Sequence, residues 1–113
     1  DGGVDVCIRF INTSNQTLKH IIFTVVPYTK TGELAPSETD KKTTAQLKYI
    51  GPVKSGRRNE RAEWNNIWYN HSIRCMELTE VVVRYMNGKS ESFRGSRLSK
   101  VLAKEIRNSC AGQ

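Results

Sequence analysis

His71 lies four residues ahead of Cys75, and a histidine beside a cysteine can act as the base and nucleophile of covalent catalysis or as half of a metal site. Spacing along a strand does not by itself bring such side chains together, no third ligand recurs nearby, and His20 stands far off in the chain. Glu60 and Glu63 flank Arg61, which favours solvation or an ion pair over acid–base work. There is no Gly-rich phosphate loop ending in Lys, no Gly-x-Ser-x-Gly, no His-Glu-x-x-His and no Cys-x-x-Cys. The residues read as those of a protein that is not an enzyme and needs neither metal nor cofactor.

Recognition chemistry is better represented. Trp64-Asn65-Asn66-Ile67-Trp68-Tyr69-Asn70 places two tryptophans and a tyrosine in one short stretch. On a strand Trp64, Asn66 and Trp68 share one face, while Asn65, Ile67 and Tyr69 share the other. The tryptophans then either fill the core, as a small domain needs, or form with Tyr69, Arg57, Arg58 and Arg61 a surface that stacks on a carbohydrate, a peptidoglycan fragment or a partner protein. The chain carries 18 Lys and Arg against 11 Asp and Glu, a net charge of +7. Basic residues concentrate at Lys54, Arg57, Arg58 and Arg61 and again at Arg94, Arg97, Lys100, Lys104 and Arg107. Such charge steers a protein toward anionic surfaces, or simply keeps it soluble. Nucleic acid is set aside as a partner because no RRM, KH or zinc pattern accompanies the charge.

These residues must be positioned mainly by strands. Val4, Val6, Ile8 and Phe10 alternate with Asp5, Cys7 and Arg9, the period of a half-buried strand, and Asn12 to Asn15 supply turn residues. A second strand runs from about Leu18 to Tyr28, with Pro27 marking a bulge or an edge. Lys30 to Glu33 is a turn, and the polar stretch from Ala35 to Thr44 reads as a mobile loop. Further strands are expected at Thr44 to Ile50, interrupted by Gly51-Pro52, at Arg61 to Trp68, and once or twice between Ser72 and Tyr85. Asn87-Gly88 predicts a type I′ hairpin with Ser90 to Phe93 returning. Leu98, Val101, Leu102 and Ile106 then recur at helical spacing, with Ser96 as N-cap. The expected fold is mainly β: one domain over residues 1–113, an immunoglobulin-like antiparallel β-sandwich of about seven strands, with a short C-terminal α-helix and tail at 94–110. No apolar run is long enough for a membrane helix, and the first residues show no signal-peptide pattern.

The run VCIRFINTSNQTLKHIIFTVVPYTKTGEL, then LKYIGPVKSG, then WNNIWYNHSIRCMELTEVVVRYMNG, resembles bacterial extracytoplasmic domains of the FxLYD-like kind. The resemblance covers roughly residues 4–88 and implies a small immunoglobulin-like sandwich of a secreted or envelope protein, without catalytic residues. Three cysteines, 7, 75 and 110, permit one disulfide in three ways. In an exported protein Cys75 with Cys110 is the favoured pair, a staple worth about 3–4 kcal/mol on the loop-entropy account, and the alternation puts Cys7 away from the core. Asn12-Thr13-Ser14, Asn15-Gln16-Thr17 and Asn70-His71-Ser72 match the N-glycosylation pattern, although Asn, Ser and Thr also dominate turns. The functional expectation is a non-catalytic extracytoplasmic interaction or structural domain, contacting a protein or a cell-envelope glycan. The alternative is a basic inhibitor or effector-type protein that binds an acidic protein or glycan surface.

Overall fold

A computed structural model of the chain describes residues 3–98. It is mainly β, with strands β1 (Val4–Ile8), β2 (Leu18–Thr29), β3 (Ala45–Val53), β4 (Ala62–Trp68), β5 (Ile73–Tyr85) and β6 (Ser90–Arg94), and a single 3₁₀ turn at Gly95–Arg97. There are thus six strands among the described residues, against an expectation of about seven. The stretch that read as one or two strands is one, β5. The expected helix beyond Leu98 lies outside the described residues.

All pairings are antiparallel. One sheet has the order β1-β4 and the other β3-β2-β5-β6. In the larger sheet Leu47, Phe23, Val81 and Phe93 stand opposite one another across the four strands, and Tyr49, Ile21, Val83 and Glu91 form the next such row. Because side chains alternate along a strand, one sheet face collects Phe23, Val25, Leu47, Val81 and Val83, all buried. Val6 and Ile8 of β1 and Trp68 of β4 are buried in the same cluster, so the two sheets share one core. Phe10 packs between them, its ring centroid 5.7 Å from that of Phe23 and 5.6 Å from that of Tyr49. Spacings of this kind suit aromatic edge contacts.

Three local devices explain where the chain departs from simple alternation. β3 does not stop at Gly51-Pro52 as expected but runs through it to Val53, pairing with Leu18 across an irregularity. A Cβ on Gly51 would lie 2.8 Å from Leu18 O and 2.9 Å from Lys19 O, so the strands can approach there only because position 51 has no side chain. Pro52 is tolerated because β3 is an edge strand of its sheet. Pro27 sits inside β2 at a point β3 does not reach, and Ala35 N donates to its carbonyl instead. Thr79 is an extra residue of β5 opposite Thr24 and Val25, a bulge that shifts the register by one.

The β5–β6 hairpin is present, but its turn is not type I′. That turn needs positive φ at both central residues, whereas only Gly88, at φ 88, is positive here. Gly88 N donates to Tyr85 O and Tyr85 N to Lys89 O. This is a three-residue loop with glycine at the left-handed position, and Thr29–Glu33 repeats it with Gly32 at φ 86.

The polar loop before β3 is tied down rather than loose. Ser37 is buried, its Oγ accepts from Tyr69 N at 2.9 Å, Glu38 N donates to Tyr69 O at 2.7 Å, and Asn70 Nδ2 donates to Pro36 O at 2.7 Å. Hydrogen bonds to Tyr69 and Asn70, just past β4, therefore hold it.

Candidate functional site

The tryptophans belong to the core. Trp68 is 1% exposed, and Trp64 is half-buried, its ring 6.2 Å from Phe23 and its Nε1 donating to Lys48 O at 3.2 Å across to the other sheet. They point the same way because β4 carries two extra residues between its pairings with Val6 and Val4, and an insertion of two preserves the alternation. Asn66 sits in that insertion at φ 54, exposed, its N–H capped by the Asp5 carboxylate at 2.8 Å. It therefore leaves the face it was expected to share with the tryptophans. Tyr69 is 36% exposed beside the tied loop, and the aromatic surface of Trp64, Trp68 and Tyr69 is not assembled.

The possible chemical pair is also separated by its setting. His71 is exposed on the turn before β5, with Arg74 Nη1 donating to its carbonyl at 2.6 Å. Cys75 is half-buried on β5 and is not a free thiol. Cys110, its expected partner, lies outside the described residues. Cys7 is an exposed free cysteine. Among the described residues no three His, Cys, Asp or Glu side chains gather as a metal site.

The arginines converge. Residues 56–59 lie antiparallel on the chain leaving β1: Gly56 N donates to Asn12 O, Asn12 N to Arg57 O, Ile11 bridges Arg58, and Asn59 N donates to Phe10 O. Asn59 fixes this register with its side chain, its Oδ1 accepting from Phe10 N at 2.8 Å and its Nδ2 donating to Ile8 O at 3.1 Å. The result is an open cleft of about 380 Å³ lined by Arg9, Arg58, Asn59 and Arg61. Arg9 comes from the residues that directly follow β1, about fifty positions away in sequence. Arg57 and Lys54 are exposed on the adjoining turn. Glu63 holds Arg61 in an exposed ion pair at 3.5 Å, which water screens heavily. Planar guanidinium forks suit carboxylate, sulfate and phosphate oxygens, so the cleft can take an anionic group.

Two further groups have shifted titration. The Tyr85 hydroxyl donates to Glu91 Oε1 at 2.9 Å at the edge of a cleft of about 220 Å³ lined by Phe10, Ile21, Val83 and Phe93. Burial, then the hydrogen bond to the Glu91 carboxylate, raises its pKa to about 12. His20, on the other face of the larger sheet, is held below the usual histidine range by desolvation and then by the charges of Lys48, Arg84 and Lys19.

Arg57, Arg58 and Arg61 were legible as a local run. Arg9 and Asn59 were not, because only the pairing of the chain after β1 with residues 57–59 brings them together. Compared with known proteins, the chain matches no family model, no curated protein and no solved structure.

Proposed function

We propose that the chain is a non-catalytic interaction domain of a secreted or envelope-associated protein, an immunoglobulin-like β-sandwich whose contact surface is the arginine-lined cleft. The observation that carries the reading is the convergence of Arg9, Arg58 and Arg61 on one open cleft, with Asn59 locked between them by backbone hydrogen bonds. The resemblance of residues 4–88 to extracytoplasmic domains supports the location, as does the engagement of Cys75, which fits a bridge to Cys110. The same cleft favours the second reading, a basic inhibitor or effector-type protein docking on an acidic protein or glycan. In both, the recognised chemistry is a carboxylate, sulfate or phosphate.

Elution from immobilised heparin against a salt gradient tests the cleft. The Arg9→Ser/Arg58→Ser/Arg61→Ser variant is expected to elute at clearly lower salt, because exposed charges act through a screened field. Unchanged elution would sink the cleft as the contact surface. Mass mapping of disulfides on protein from its native host tests the compartment: a Cys75–Cys110 bridge with Cys7 reduced supports export, and three free thiols oppose it.

A further inference from the structure

The larger sheet has a second face, turned away from the core. Its opposed residues form a row of Ile50, His20, Arg84 and Ser90 and, one step along, a row beginning with Lys48 and centred on Ile22 and Val82. Neighbours in such rows stand about 5 Å apart and successive rows about 7 Å, so Lys48, His20 and Arg84 lie within one small area. Lys19 adds a fourth basic side chain whose charge His20 senses. Ile50 is 65% exposed beside them, the most exposed of the large apolar residues described, while Ile22 and Val82 are half-buried. The acidic residue of the following row, Glu80, is held by Arg94 at 2.8 Å and does not neutralise the group.

We propose that this face, built on Lys48, His20, Ile50 and Arg84, is a docking surface for an acidic protein. Charge complementarity sets the sign of the partner. An exposed isoleucine flanked by basic side chains matches a protein contact with an apolar centre and a charged rim. A glycan would call for an aromatic platform, and these rows present none. The surface goes beyond the arginine cleft, which lies on other elements, and the two stand or fall separately.

A pH dependence follows from the same arrangement. His20 faces Ile50 and Lys48 from β3, Arg84 from β5 with Ser90 of β6 beyond it, and Lys19 on its own strand. Desolvation first, and then these charges, all of them positive, hold the imidazole below the usual histidine range. Docked carboxylates reverse that field and favour the imidazolium, so binding takes up a proton. By linkage it tightens as pH falls through the titration of the bound form.

The experiment is an NMR titration of the full chain with poly-L-aspartate, at about pH 7.5 and about pH 5.5, with heparin oligosaccharide as the second probe. Expected are saturable shifts of the His20 ring and the Ile50 methyls, binding at least about threefold tighter at the lower pH, and a loss of roughly tenfold in Lys48→Glu/Arg84→Glu. His20→Gln should keep the binding and lose its pH dependence. Poly-aspartate shifts confined to Arg9, Asn59 and Arg61 would overturn this proposal and leave the cleft standing. Shifts of the face with heparin alone would assign it to a glycan, and a face silent to both probes would refute it.

Discussion

Asn12 and Asn70 solve the same problem in two places. In Asn12-Thr13-Ser14 and Asn70-His71-Ser72 the asparagine Oδ1 accepts from the serine backbone N–H, at 3.0 and 2.9 Å, and from the serine hydroxyl, at 2.6 Å in both. The amide then reaches a distant carbonyl, Val53 O from Asn12 and Pro36 O from Asn70. A pattern that reads as a glycan acceptor thus acts in both places as a knot between a turn and a remote segment, while Asn15 of the third match is exposed. Asn12 is 3% exposed, so its removal strands buried carbonyls. Asn12→Ala is expected to cost about 2–3 kcal/mol by denaturant unfolding, and Asn70→Ala about 1 kcal/mol. Tyr85 allows a test by titration. Its folded pKa of about 12 lies above the ordinary value of about 10. The stability it contributes is therefore complete below about pH 10 and is lost as pH rises toward about 12. Tyr85→Phe should flatten that alkaline decline, and tyrosinate absorbance of the native protein should show one phenol ionising last.

At the scale of elements, what was legible in the sequence was whatever period 2 could express. The starts of β1, β2 and β4, the long Val81-Val82-Val83 strand and the hairpin after it were readable because their alternation or β-branching is local. The continuation of β3 through Gly51-Pro52 was not, because it depends on Leu18 pressing against position 51 from another strand. That close approach makes a sharp prediction. Gly51→Ala pushes a methyl group into backbone oxygens that cannot move aside, and should cost about 2–4 kcal/mol. Gly88→Ala meets open space and bears only its positive φ, a loss of about 1 kcal/mol. If equilibrium unfolding ranks the two the other way, the packing account of β3 is wrong. The shared face of Trp64 and Trp68 came out as expected although Asn66 did not, since the inserted pair of residues is invisible until β1 is laid beside β4. The arginine cleft was half legible for the same reason: Arg57, Arg58 and Arg61 are neighbours in sequence, and Arg9 is a neighbour only through pairing.

At the scale of the whole molecule, the pairings that close the structure join remote parts of the chain. Val6 stands opposite Trp64 and Phe23 opposite Val81, each pair more than fifty residues apart. The β5–β6 hairpin, by contrast, closes over a three-residue loop. A chain with this wiring cannot collapse quickly into its final order, because long loops must be closed before the central pairing repays them. Refolding on the millisecond-to-second scale is expected, and stopped-flow fluorescence of Trp64 and Trp68 would measure it, since both rings reach their native surroundings only when β4 has met β1. Until β2 has found both β3 and β5, its long apolar run keeps an open edge. Dilution and speed, more than final stability, should then decide how much of a denatured sample returns to the native state and how much aggregates.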